Sequence, residues 1–352
     1  MYPCIEIDLT KLTHNTSVLV KSCEEVGVTS IFGVTKVLAG NLPSIEAVIR
    51  GGITHLADSR LENLVKLANY PLSKVLLRLP MMSEVHEVVK YAQISLNSEL
   101  ETIKKLNQAA YDEKVIHKII LMIDLGDLRE GVWFKEDYLA IVKEILTLEH
   151  IHLEGIGTNL TCYGGVIPSI ENLSQLIKIK NEIETTFNVG LEIISGGNSS
   201  SLHLINSKNL PTGINNLRLG ESFYLGRETA YEKNLEVLYQ DVFTLNAEII
   251  ELKTKPSIPI GEIGVDAFGK KPVFEDMGDL KRAIVAIGKQ DVYADHIKPL
   301  DERIRILGSS SDHLILDVSK CDYQLGDIIS FKVSYGGLLQ IMTSPYVHKI
   351  YI

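Results

Sequence analysis

Eight short apolar runs, each followed by an amphipathic or polar segment, set the strongest limit on how this chain folds. The runs are residues 30–38, 55–58, 75–79, 94–97, 119–125, 153–160, 191–195 and 217–225. They are rich in Ile, Val and Leu and almost unbroken in apolarity, as expected of parallel strands covered on both faces. Between them, stretches such as 61–68, 84–91, 100–110, 137–148 and 170–187 repeat apolar residues at helical spacing. Eight strand–helix units are the count of a (β/α)8 barrel. After Tyr231 the pattern changes to alternating segments, at 242–251, 282–287, 313–318 and 327–333, joined by Gly, Pro, Ser and Asp turns. The expected architecture is α/β: a TIM barrel over residues 8–231, then a mainly β C-terminal domain over 232–352. The opening residues 1–7 are expected to lend that domain a strand.

Composition removes several function classes. A net charge of −10 argues against nucleic acid as the main partner and is compatible with a cationic substrate. No apolar run reaches the roughly 18 residues of a membrane span, and MYPCIEIDLT has neither a basic stretch nor an apolar signal core. Cys4, Cys23, Cys162 and Cys321 stand far apart without CxxC spacing, which reads as reduced thiols in a cytoplasmic protein. His203, His296, His313 and His348 lack ligand spacing, so no metal site is expected.

Barrel active sites lie at the C-terminal strand ends, and phosphate is often held by the loops after strands seven and eight. The segment 191–202, LEIISGGNSSSL, follows the seventh run. Gly196 and Gly197 permit a tight turn, and Asn198, Ser199, Ser200 and Ser201 place donors where a helix begins, a natural phosphate cradle. The plainer alternative is a glycine turn with a serine N-cap. Lys36 interrupts the first run, IFGVTKVL. A lysine among residues buried on both sides is costly unless it points into a functional cavity; the plainer alternative is a lysine snorkelling from the strand end. A desolvated lysine beside a phosphate cradle suits a Schiff base with pyridoxal phosphate. Arg129 follows the fifth run and Arg218 lies on the eighth. Either alone reads as a structural ion-pair arginine, but two on inward strand ends suit an anionic cofactor. Gly220 lets backbone N–H groups approach the same phosphate, and Asp124 and Asp127 could simply orient Arg129.

With GVTKVLAGN, HLADSRLENL, SLNSELETI, LGDLREG, GIGTNLTCYGG, ISGGNSSSLHL, NLRLGESFYLGRET, AIGKQDV, GSSSDHLILDV and YGGLLQIMTSPYV, the chain resembles the alanine racemase-like, fold type III pyridoxal-phosphate enzymes. The resemblance spans nearly the whole chain and is strongest to the ornithine racemase branch. It implies that Lys36 carries the cofactor, that Arg129 lies against the phenolic oxygen and that Arg218 hydrogen-bonds the pyridine nitrogen. Ser199, the Gly220–Glu221 backbone and Tyr335 would hold the phosphate, with Asn198 lining the same wall. Three departures stand out. The tyrosine of the family's GYADG motif, its second base, aligns with Lys289 in AIGKQDV, and Tyr293 in VYADH competes for that role. The histidine expected near the sixth strand end is Asn159, and the phosphate-binding tyrosine after the lysine is replaced near Gly40.

An arginine on the ring nitrogen cannot surrender a proton to it, which weakens the electron sink and favours racemisation over transamination. A decarboxylase of this fold would be expected to show a carboxylate there, and Glu221 is close in sequence. The implied activity is two-base proton exchange at Cα of a basic amino acid, ornithine first. Alternatives are an alanine or broad-specificity racemase, a basic amino-acid decarboxylase, and a non-catalytic cofactor carrier. Asp291, Asp312 or Glu221 would take the substrate's side-chain ammonium, since a buried carboxylate without a cation is expensive. Asp291 and Asp312 are the favoured pair. The family also implies a homodimer in which one chain's second domain completes the other's barrel site.

Overall fold

The computed structural model describes residues 1–265, 268, 269 and 271–352. Seventeen strands form among them. In chain order they are β1 (Cys4–Ile7), β2 (Ser30–Val34), β3 (His55–Asp58), β4 (Ser73–Leu76), β5 (Ile94–Asn97), β6 (His117–Asp124), β7 (Val132–Trp133), β8 (Ile151–Gly157), β9 (Ile193–Asn198) and β10 (Asn216–Leu219). They continue with β11 (Phe243–Pro256), β12 (Asp279–Val285), β13 (Ile297–Pro299), β14 (Arg305–Ser309), β15 (Leu314–Asp317), β16 (Ile328–Val333) and β17 (His348–Tyr351).

Eight of these close into a parallel barrel. The order runs β5-β4-β3-β2-β10-β9-β8-β6, and β6 pairs back onto β5. The apolar runs are continuous because each strand is buried twice over. Along β6, Ile120 and Met122 join a cluster built from strand residues such as Phe32, Val34, Val75 and Leu96. Their neighbours Ile119, Leu121 and Ile123 belong to a second cluster with the helical residues Leu106, Ile145, Leu176 and Ile183. Contacts divide the chain into two compact units, Thr10–Gln240 and Met1–Leu9 with Asp241–Ile352. In the second unit β13-β16-β11-β12-β15-β14 form an antiparallel path, and β1 pairs antiparallel with β11 and parallel with β17.

Among the strand ends that differ from the sequence expectation, three shape the site. The first run stops being a strand at Val34, and Lys36–Leu38 form a 3-10 turn closed by Ala39 in the left-handed region. Val37 and Leu38 are buried there all the same, so apolarity alone could not mark the boundary. Gly196 and Gly197 lie inside β9 rather than in a turn; the chain turns only at Ser199–Ser201. A side chain at Gly196 would meet Ile214 Cγ2 at 2.5 Å. The eighth run ends at Leu219, and Glu221–Leu225 form a short helix stopped by Gly226 at φ 63°.

Gly155 shows how tightly the barrel wall is drawn. The β6–β8 register slips by one residue just before it, and a Cβ placed on it would lie 1.8 Å from the Ile193 carbonyl oxygen on β9. Backbone cannot yield as a side chain does. Gly155→Ala is expected to destabilise the protein by about 3 kcal/mol, the upper range of overpacking costs, read as a lower urea midpoint at unchanged slope. A midpoint equal to wild type would show that the wall relaxes freely.

Candidate active site

The C-terminal ends of the barrel strands carry a connected set of polar side chains centred on Arg218, which follows Leu217 on β10 and is 5% exposed. Its NH1 donates to Ser195 Oγ (2.5 Å) on β9; its NH2 donates to the Thr158 carbonyl (2.8 Å) and to Asn159 Oδ1 (3.1 Å), just beyond β8. Ser195 Oγ in turn donates to Asn216 Oδ1 (2.6 Å), whose amide reaches the Ser30 carbonyl (3.1 Å) at the start of β2. No carboxylate touches Arg218 among the described residues. Burial pushes its pKa down to about 10, against the opposing pull of Glu130; it therefore stays a cation at neutral pH.

The two loops expected to hold a phosphate meet. Ser199 Oγ lies 3.0 Å from Ser222 Oγ and accepts from the Ser222 N–H (3.3 Å). Asn198 caps the turn by accepting from Ser200 N–H (2.8 Å), and its amide donates to Asn159 Oδ1 (2.9 Å). Gly220 is pressed against β2: a Cβ there would lie 3.0 Å from the Val34 carbonyl. The Ser200 and Thr158 hydroxyls are buried with no hydrogen-bond partner among the described residues.

Lys36 sits on the turn beyond β2, not within a strand as its apolar flanks suggested. Burial holds its amine below the usual lysine range, and the Arg129 cation works in the same direction. Cys162, Asp58 and Glu221 act against it. Asp58, at the end of β3, was missed by the sequence reading. It accepts from Thr35 Oγ1 (2.8 Å), the Arg60 N–H (2.9 Å) and Asn63 Nδ2 (3.1 Å), fixing the residue before Lys36. Its one available signal was a polar residue closing an apolar run.

Arg129 is half-exposed and pairs with Glu130, whose side chain is 12% exposed. Asp124 and Asp127, expected to orient this arginine, hold backbone instead. Asp124 accepts from the Gly126 N–H (2.8 Å), and Asp127 from those of Cys162, Tyr163 and Val166. Glu221 is ion-paired with Arg227 (2.6 Å) and is absent from the contacts of Arg218, so it offers no carboxylate to that arginine.

The remaining expected residues lie on the β unit. Lys289 Nζ stands 3.5 Å from the centre of the Phe268 ring, and its N–H donates to the Ser310 carbonyl (2.9 Å). Tyr293 is half-exposed. Asp291 is buried but already accepts from Ser344 Oγ (2.7 Å), with Lys349 as an electrostatic neighbour. Asp312 corrects the expectation of a buried, unpaired carboxylate: its side chain is 69% exposed, beside His313 Nδ1 (2.9 Å). Tyr335 opens the helix Tyr335–Thr343, whose N-cap Ser334 accepts from the Gly337 N–H.

A family model described as the alanine racemase N-terminal domain matches residues 7–228. An ornithine racemase of Acetoanaerobium sticklandii is 51% identical over 99% of both chains. A lysine racemase of Thermotoga maritima is 40% identical over 100% of this chain and 99% of that one. The solved alanine racemase of Clostridium difficile shares the fold, with a TM-score of 0.76 at 20% identity over 99% of this chain and 95% of that one. The chain belongs to the alanine racemase family, whose members are pyridoxal-phosphate enzymes.

The depressed basicity of Lys36 has a measurable cost. A lysine with a lower pKa folded than unfolded holds fewer protons in the native state. Its penalty is therefore full below the folded value and relieved as pH rises toward the ordinary 10.5. In protein freed of ligand, Lys36→Met is expected to melt above wild type at pH 7, by about 2–4 °C per kcal/mol relieved. The gap should close toward pH 10.5. A gap that widens with pH would contradict this.

Proposed function

We propose that this chain is a racemase of a basic amino acid, ornithine first, working with pyridoxal phosphate at the barrel strand ends. The observation that carries the reading is Arg218: a buried cation held, among the described residues, by neutral acceptors, where an electron-withdrawing cofactor would want a carboxylate. The residues present suit the cofactor. Arg218 uses three hydrogen bonds of the five N–H donors a guanidinium carries, which leaves donors for a ring nitrogen. The joined Ser199 and Ser222 hydroxyls, with the Gly220–Glu221 backbone and the Asn198 wall, suit a phosphate, and the resemblance adds Tyr335. When bound, pyridoxal phosphate supplies the electron sink that acidifies the Cα–H of an attached amino acid.

This chain's own groups would do the rest. Lys36 holds the cofactor and, its amine biased to the neutral form by burial, takes or returns the Cα proton on one face. Arg129 offers its guanidinium to the phenolic oxygen. Arg218, a cation at neutral pH, would donate a hydrogen bond to the ring nitrogen without giving up a proton, a role that favours return of the proton to Cα over transamination. The opposite face needs a second base, Lys289 or Tyr293, brought by a second copy in a head-to-tail homodimer with two composite sites. Asp312, exposed on the β unit, is better placed than Asp291 to meet a ligand carried by that second copy, because Asp291 is engaged by Ser344. The names of the two relatives, acting on ornithine and on lysine, support the basic side chain. Four free cysteines support a reducing, cytoplasmic setting.

Chiral chromatography after incubation with single enantiomers is expected to show interconversion of ornithine, with kcat/KM well above that for alanine. Asp312→Asn should lower the ornithine-to-alanine ratio roughly ten- to a hundredfold, the worth of one hydrogen bond to a charge. Preference for alanine in wild type would overturn the substrate assignment. Borohydride should fix the cofactor to Lys36, and Lys36→Ala should lose the bound-cofactor absorbance.

The phosphate assignment has its own measurement. Ser199→Ala and Tyr335→Phe are each expected to weaken cofactor binding by roughly tenfold, seen in equilibrium titration of the apoprotein. Unchanged affinity in the double variant would remove both residues from the site.

A further inference from the structure

Glu130 joins the two arginines of the site. Its carboxylate takes two hydrogen bonds from Arg129, one from Nε and one from NH2, in the side-on fork that suits a guanidinium. A third comes from Asn159 Nδ2 at 3.2 Å. The same amide's oxygen accepts from Arg218 NH2 (3.1 Å) and from Asn198 Nδ2 (2.9 Å), and its nitrogen also donates to Cys162 Sγ (3.1 Å). Only one orientation of the Asn159 amide satisfies all of these partners. That orientation requires an acceptor at Glu130.

We infer that Glu130 is a positioning residue: it clamps the inner edge of Arg129 and, through Asn159, locks Arg129 and Arg218 into one fixed arrangement. This rests on the reading of the site as a racemase. An exposed Arg–Glu pair would contribute little. Here the carboxylate is 12% exposed against 46% for the arginine, so the clamp lies on the inner side. With Nε and NH2 engaged, the NH1 edge of Arg129 remains for an incoming anion, held at one angle. The like charges of Arg129 and Arg218 also oppose each other, and Glu130 is the carboxylate that touches Arg129 directly and Arg218 through one amide. Asn159 suits the link because an amide offers one acceptor and one donor group and does not titrate.

The test reads Arg129 itself. Phenylglyoxal modification of the cofactor-loaded protein, followed peptide by peptide by mass spectrometry, is expected to proceed about tenfold faster at Arg129 in Glu130→Gln than in wild type. Glu130→Asp, which keeps the charge on a shorter arm, should fall between. Glu130→Gln should retain the cofactor absorbance while its kcat for ornithine drops about a hundredfold, the scale of a misplaced binding group. Combined with Arg129→Lys it should cost no more than Arg129→Lys alone, because both remove one clamp. An unchanged modification rate in both Glu130 variants, or losses that simply add in the double variant, would overturn the inference. If modification accelerates but wild type racemises no amino acid, the clamp stands and the racemase reading falls.

Discussion

A cation buried at the end of an apolar barrel is the constraint around which the rest of the site is arranged. Removing a guanidinium from water is tolerable only if its donors find acceptors. Arg218 finds them on two neighbouring chain segments: Ser195 on β9, and Thr158 and Asn159 just past β8. Ser195 passes the connection to Asn216, and Asn216 to Ser30 at the foot of β2. Four adjacent strands are thereby tied by one polar thread through an interior otherwise filled with Phe32, Val34, Ile120, Met122 and Ile193. A one-residue slip of any of these strands would turn its polar residue to the other face and leave a buried group unpaired.

The position of Lys36 follows from the same economy of buried polar groups. Where β2 ends, Thr35 turns its N–H to the Ala57 carbonyl and its hydroxyl to Asp58. The chain then winds into a short 3-10 turn that lifts Lys36 off the strand. Asp58 is itself paired with the Arg60 N–H and Asn63, and burial still holds its carboxyl above the usual range. The lysine thus lies between opposed influences, with burial and Arg129 disfavouring its charge and Asp58, Glu221 and Cys162 favouring it. That balance suits the part proposed for Lys36, to hold a cofactor and exchange protons.

In the β unit, glycines allow loops to press together where side chains would forbid it. A Cβ on Gly288 would fall 2.4 Å from the Asp312 N–H nitrogen, and one on Gly336 would fall 2.5 Å from the His296 ring. These contacts bring the Lys289–Asp291 turn against residues 310–312 and seat the helix that begins at Tyr335. Asp291 anchors the first of these turns by accepting from Ser344 Oγ, a structural part that the sequence reading did not include.

What the sequence by itself determined is the barrel, the change of pattern after it and the list of residue types the chemistry needs. Those follow from short-range physics. Strands buried on two faces are mostly apolar and a packed helix repeats apolar residues every three to four positions, so His55–Asp58, Ile94–Asn97 and the helix Ile170–Phe187 were legible to the residue. A lysine or arginine inside such a pattern stands out because burying it is costly. What only the tertiary structure decided is which polar group meets which. Glu130, Ser195, Ser222 and Asp58 are ordinary residues in their own segments. They become part of a site because parallel strands bring residues far apart in the chain to one rim, as Ser199 meets Ser222 and Asn159 meets Arg218. Strand ends were misread for a related reason. Val37 and Leu38 are as buried on a turn as they would be on a strand, and burial, unlike hydrogen bonding, leaves no periodic mark over so few residues.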